Sequence, residues 1–135
     1  MHLVPIPTTE EDVERSARHW APFLRGVSHY SKEPLECIVN SILNLETQVI
    51  LAWDGERAQA AVGVCYHLRG DEKIGRLVWF AGGNADLRKE LLPDLERYLK
   101  DMGCAEVQPV CRRGLQPLFK EAGYKLTHVV MEKTL

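Results

Sequence analysis

The chain has no closely spaced pair of cysteines: Cys37, Cys65, Cys104 and Cys111 stand far apart. A zinc site usually draws paired ligands from one short stretch, because two local ligands cost little chain entropy, so no metal is expected. Cys65-x-His67 comes nearest, and strand alternation would put both on one face. No apolar run approaches the roughly 20 residues that span a bilayer, so no membrane partner is expected. The opening Met-His-Leu-Val-Pro-Ile-Pro lacks the basic flank and long apolar core of a signal peptide. A cytoplasmic location follows as the expectation, and reduced thiols with it. Charge of one sign is missing too. A net charge of -2 gives no pull toward nucleic acid or acidic lipid. There are no repeats, low-complexity runs or linkers. The 135 residues read as one domain, large enough for a full core. A content of 45% hydrophobic and 27% charged residues is ordinary for a soluble globular chain.

What is present is a strand–helix–strand–helix run from Lys73 to Leu118. Ile74 to Ala81 is apolar, β-branched and aromatic, and ends in Gly82-Gly83. Leu87, Leu91, Leu95, Leu99 and Met102 recur every three or four residues and share a helical face. Gly103 stops that helix. Ala105 to Val110 is the next strand, and Arg113 to Ala122 the next helix. Two strands joined by such a helix pair in parallel through a right-handed crossover. Ligands of such units sit beyond the carboxyl ends of the strands. That directs attention to Val78–Arg88 and Val110–Gly114.

The flanking chain reads simply. His2 to Pro7 is a short edge strand, since Pro5 and Pro7 lack ladder donors. Thr9-x-x-Asp12 resembles a capping box and starts a first helix. Its inner face is Val13, Ala17, Trp20 and Leu24; Pro22 strains its last turn and Gly26 ends it. Pro34 fits the first turn of a second helix with Leu35, Ile38, Ile42 and Leu45 inside. Gln48–Trp53 and Arg57–Leu68 are strands joined at Asp54-Gly55. Gly123 ends the last helix, and Tyr124 to Lys133 is expected to close the sheet. Pro93 lies within the central helical pattern, where proline costs about 3 kcal/mol. The regular helix is therefore expected to begin near Pro93, with Asn84 to Leu92 an irregular turn.

The order β-α-α-β-β-β-α-β-α-β resembles the GNAT acetyltransferase superfamily over nearly the whole chain. Leu91-Leu92 with its spacing to Gly103, and Leu118-Phe119-Lys120-Glu121-Ala122-Gly123-Tyr124, carry the likeness. The resemblance implies an α/β fold with a mixed sheet flanked by helices. It also implies a site where the fourth and fifth strands splay around an acyl-CoA such as acetyl-CoA. Pro109, in the fifth strand, fits either such a splay or an edge-facing side.

Carried onto this chain, Val78 and Phe80 would hold the pantetheine arm. Gly83, Asn84 and Ala85 would lie near the phosphates. The family's R-x-x-G-x-G/A pyrophosphate loop falls on Gly83, Asp86 and Arg88, so all three slots are changed. Asp86 either repels a pyrophosphate or simply complements the helix dipole. Arg88 either pairs with a phosphate or is solvated surface. The family's general-acid Tyr is Phe119, its Asn slot is Arg112, and Lys73 to Ala81 holds no acid. His67, Tyr66, Tyr124 and Cys111 are nearby substitutes, and no catalytic residue is assigned.

Cys111-Arg112-Arg113-Gly114-Leu115, with Gly123-Tyr124 and Lys133-Thr134-Leu135, is similar to a pattern in GNAT-like proteins of tailed bacteriophages. Arg112 and Arg113 are candidate anion-binding residues. Two functions follow from the resemblance. One is a divergent acyl-CoA-dependent N-acyltransferase acting on an unidentified small-molecule or protein amine. The other is a non-catalytic GNAT-like module serving a protein partner.

Overall fold

Alternation in the middle strands sends apolar side chains to two faces, and helices cover both. In the computed structural model, which describes residues 1–135, β1 (His2–Pro5), β2 (Gln48–Trp53), β3 (Ala58–Arg69) and β4 (Glu72–Gly82) form an antiparallel meander. The fifth strand, β5 (Cys104–Pro109), joins β4 in parallel, so the sheet order is β1-β2-β3-β4-β5. The mixed sheet flanked by helices is the expected fold class. On one face α1 (Glu10–Trp20), α2 (Leu24–Ser31) and α3 (Leu35–Leu43) pack Val13, Trp20, Leu24, Val27, Ile38 and Ile42 onto Val49, Leu51 and Trp79. On the other, α4 (Ala85–Asp101) and α5 (Gln116–Glu121) pack Leu92, Leu95, Leu99 and Phe119 onto Ile50, Val62, Val64 and Leu77.

The first helix starts where the capping pattern puts it: the Asp12 N–H donates to the Thr9 hydroxyl oxygen at 3.2 Å, and that hydroxyl donates to the Asp12 carboxylate. Its end differs from expectation. Pro22 breaks α1 after Trp20 into a 3-10 turn, Ala21–Phe23, and the chain resumes as α2 straight through Gly26. An exposed helical glycine costs only about 1 kcal/mol, which the burial of Leu24 and Val27 outweighs. The stop is Lys32, held left-handed at φ 58. Leu45 lies beyond α3 with φ 63 and is exposed, not part of an inner stripe; Leu35 is exposed as well.

Two corrections bear on function. The central helix does not begin near Pro93. It begins at Ala85, with the Asn84 side chain accepting from the Leu87 N–H at 2.8 Å, and Pro93 lies inside it. Leu91, Leu92, Leu95 and Leu99 are each at most 2% exposed. At about 1.5–3 kcal/mol per buried leucine, their packing outweighs the proline. The closing strand is also absent: residues 124–135 form no strand, and Leu126 to Met131 stand in solvent. β-branched residues favour a strand only where a neighbouring ladder receives it.

Candidate functional site

The parallel ladder between β4 and β5 is short. Its register runs from Lys73↔Cys104 to Leu77↔Pro109, and the Val110 N–H donates one last bond to the Leu77 carbonyl at 2.8 Å. Beyond it, Val78 to Gly82 continue β4 with no partner on that side. Pro109 therefore stands where the strands part, as a residue without a ladder donor would.

A bulge shapes this opening. Gly63 pairs with Trp79 but Val64 with Leu77, so Val78 is an extra residue in β4. Leu77 packs toward α4, Val78 and Trp79 both pack toward the α1–α3 face, and Phe80 packs toward α4 again. Two consecutive side chains on one face mark a bulge, which bends a strand and re-aims its backbone. Gly63 makes room for it. A Cβ there would lie 2.3 Å from the Trp79 ring. An isolated glycine in the run Ala60-Ala-Val-Gly-Val64 is the sequence signal for such a bulge.

At the end of β4 the chain turns sharply into α4. Gly82 and Gly83 are both left-handed, at φ 79 and 71. The turn brings Asn84 and Ala85 beside the opening. Because Asn84 caps the Leu87 N–H, the Ala85 and Asp86 N–H groups are the unclaimed donors of the first turn. Arg88 Nε donates to the Gly82 carbonyl at 3.2 Å. Its guanidinium is thus pinned at the strand end rather than loose on the surface, and it enters no ion pair. The Asp86 carboxylate, exposed in that same turn, opposes an anion, and Arg88 offsets it.

Across the opening, Arg112 and Arg113 are split. The Arg112 guanidinium lies 4.2 Å from the centre of the Tyr30 ring on α2, a cation–π contact. Arg113 begins a 3-10 turn, exposed and outside every ion pair.

Of the substitute acids, Cys111 directly follows Val110 at the last ladder bond, and the other three are engaged or exposed elsewhere. Phe119 is core, 4% exposed. Tyr124 donates to Glu96 on α4 at 3.0 Å and stacks edge-on against Phe119. Tyr66 donates to buried Gln48, which in turn bonds Tyr98 and the Ile6 carbonyl, toward the far end of the sheet. His67 is exposed at that same end, opposite Ile74. Burial pushes the Cys111 thiol up, the opposite direction from that of an activated thiolate. No cluster of His, Cys, Asp and Glu suited to a metal exists in the structure. Two small depressions lie elsewhere, of about 190 Å³ between α4 and α5 and about 240 Å³ along α1. Both are smaller than the roughly 300–1,000 Å³ of ligand pockets.

The tyrosines carry a pH expectation. Burial, then Tyr98, raises the Tyr66 hydroxyl well above its ordinary value; burial, then Glu96, does the same for Tyr124. A raised folded-state value gives stability that is complete below the unfolded value near 10 and lost as pH rises beyond it. Urea unfolding should show no pH dependence from these groups near neutrality and a fall above about pH 10. Tyr66→Phe and Tyr124→Phe should each flatten that fall. An unchanged alkaline limb in both variants would show that neither hydroxyl is shielded.

No protein-family model and no curated protein matches the chain. Solved structures do. The chain is similar to wild-type TTHA1254 from Thermus thermophilus, at 21% identity and a TM-score of 0.59, covering 100% of this chain and 97% of that one. It is similar to aminoglycoside N-acetyltransferase AAC(6')-Iy in complex with CoA, at 12% identity and a TM-score of 0.68, over 98% of each chain. A third is a predicted acetyltransferase with acetyl-CoA from Clostridium acetobutylicum, at 12% identity and a TM-score of 0.65, over 98% of this chain and 95% of that one. At such identities the likeness concerns the fold.

Proposed function

We propose that this chain, which has the GNAT fold, is a divergent acyl-CoA-dependent N-acyltransferase acting on an unidentified amine. The observation that carries the reading is the opening past Leu77 and Pro109, with Arg88 fixed at its end. An extended pantetheine arm fits an unpaired strand segment, because its amides can bond backbone groups as an added strand would. Val78 and Phe80 line that segment. Gly83, Asn84 and Ala85 lie where a diphosphate would meet the donors of the first turn, and Arg88 adds charge. Arg113 and the rim formed by Arg112 with Tyr30 would meet the distal part of either substrate.

In the reaction the amine nitrogen attacks the thioester carbonyl. A C–N bond forms, the C–S bond breaks, and the proton lost by nitrogen ends on the departing sulfur or in water. With no side chain assigned as general acid or base, this chain contributes by holding the two reactants together.

A second reading has its own observation. Phe119, in the slot of the family's general acid, is buried and has no proton to give, and Tyr124 is bound to Glu96. That favours a non-catalytic module serving a protein partner.

Thermal unfolding against acetyl-CoA and free coenzyme A tests the two. Binding at a hundredfold excess over Kd stabilises by about 2.7 kcal/mol. For a chain of this size that is a rise of roughly 10 °C. Saturable stabilisation, weakened about tenfold in Kd by Arg88→Ala, is expected; a lost charge-assisted bond of about 1.5 kcal/mol gives that factor. A flat titration at millimolar ligand rejects the acyltransferase reading and leaves the binding module. Binding without thiol release across a panel of polyamines, aminoglycosides and lysine peptides would leave a cofactor-binding protein without transferase activity on those amines.

A further inference from the structure

Arg76 of β4 has no counter-charge. Leu77 and Val107 pack toward α4, so their neighbours Arg76 and Gln108 face the α1–α3 side. The two stand opposite each other in the β4–β5 ladder, and the guanidinium donates to the Gln108 side-chain oxygen at 3.2 Å. Both are half-buried. Gln108 donates its own amide N–H to Glu106 at 2.8 Å, which holds that oxygen toward Arg76. The acids of β4 and β5 are engaged elsewhere, since Glu72 and Glu106 both bind Arg69. Arg76 enters no ion pair, and its remaining N–H groups are open to solvent. A guanidinium held by a neutral amide keeps its charge and most of its planar fork free for an anion.

Its place matters as much as its charge. Arg76 lies two residues before Val78, where β4 loses its partner and the opening begins. On the far side of the opening the Arg112 guanidinium reaches Tyr30 of α2, which is again the α1–α3 side. Two guanidiniums therefore flank the opening on the side away from α4. That side is the one left to an amine. With a diphosphate at the start of α4, the α4 side is closed by the buried Leu92, Leu95 and Phe119. A thioester carbonyl in the opening is then approached from the α1–α3 side.

We propose that the amine acceptor carries an anionic group, a carboxylate or a phosphate, which Arg76 binds while the acceptor nitrogen meets the thioester at the opening. The inference rests on the acyltransferase reading given above. A planar fork pairs with either anion through two parallel N–H bonds. Gln108 keeps the guanidinium in place for that pairing, and Arg112 adds a second positive charge on the same side. The anion gives Arg76 the partner that the chain does not provide. It also fixes the amine against the carbonyl, which is the source of rate where no acid or base is assigned. A polyamine offers these guanidiniums only like charge and is repelled.

Matched pairs of amines test it, with thiol release from acetyl-CoA by the full chain as the readout. Lysine against cadaverine, and β-alanine against propylamine, isolate a carboxylate; O-phosphoethanolamine against ethanolamine isolates a phosphate. The anionic member of at least one pair should be preferred by about tenfold or more in kcat/KM, the factor that a charge-assisted bond gives. Which pairs discriminate tells carboxylate from phosphate. Arg76→Gln should bring the preference close to unity, and Arg76→Lys should keep part of it, since a lysine retains the charge without the fork. The preference is a ratio within one protein sample, so a variant that is partly unfolded still reports it. Acetyl-CoA stabilisation with equal use of both members of every pair overturns this inference and leaves the acyltransferase reading standing. So does a preference that Arg76→Gln leaves unchanged. Acetyl-CoA stabilisation without turnover of any of these amines also overturns it. Absence of acetyl-CoA stabilisation defeats the acyltransferase reading itself, and the inference falls with it.

Discussion

Gly63→Ala should destabilise the protein by about 3 kcal/mol, at the upper end of overpacking effects. The added Cβ would lie 2.3 Å from Trp79 Cε2, 2.4 Å from Nε1 and 2.8 Å from Cδ2. No real contact is that short, so either the indole or the strand must move. Trp79 is 8% exposed within the α1–α3 core and has little room to yield. Urea denaturation should therefore show a lower midpoint with an unchanged slope. Melting should fall by roughly 10 °C. Trp79→Phe in the Gly63→Ala background should recover part of the loss, and a double-mutant cycle would isolate the coupling. If Gly63→Ala unfolds within about 0.5 kcal/mol of wild type, the indole does not rest on residue 63 and the bulge has another cause.

Gly82→Ala should lose about as much, by a different route that also reaches the opening. At φ 79, alanine pays about 1–2 kcal/mol for the left-handed conformation. Its Cβ would also meet the Phe23 ring at 2.6 Å and the Gln59 carbonyl at 2.9 Å. The ring can swing away; a strand carbonyl cannot. Phe23→Ala should thus rescue only part of the loss. The Gly82 carbonyl is also the acceptor that fixes Arg88. A shifted peptide there should weaken coenzyme A stabilisation more than Gly63→Ala does, once both are compared at equal fractional stability. Equal ligand response in the two variants would show that the Gly82–Arg88 contact does not position a binding group.

The meander and its parallel fifth strand were legible in the sequence. Each rests on a periodicity, a turn or a glycine stop that acts within a few residues. Sequence and structure differ where a local preference meets a distant competitor. Pro93 carries a real helix penalty, yet the buried leucines on either side decide the matter. Leu126 to Met131 has a strand's composition, but composition supplies no hydrogen-bond partner. The family resemblance implied the opening, and Pro109 was compatible with it without deciding it, since proline removes a donor equally at a splay and on an edge-facing side. The Arg88 bond to the Gly82 carbonyl and the Arg112 stack on Tyr30 were not legible. Both depend on where a flexible side chain ends after the backbone has closed, and no spacing rule reaches from residue 30 to residue 112. Gly63 signals a bulge, but the ring that occupies its missing Cβ is visible only in three dimensions.

The sheet order has a kinetic consequence. Strands β2, β3 and β4 meet through neighbouring turns, so their contacts close short loops and can form early. β5 pairs with β4 across the 17 residues of α4, a longer loop than those between β2, β3 and β4. Its pairing with β4 therefore belongs to the late, native-side part of the folding path, where mutations alter unfolding more than refolding. The opening past Leu77 and Pro109 takes shape at that last step. A ligand held there should lengthen the lifetime of the folded chain and leave its refolding rate nearly untouched.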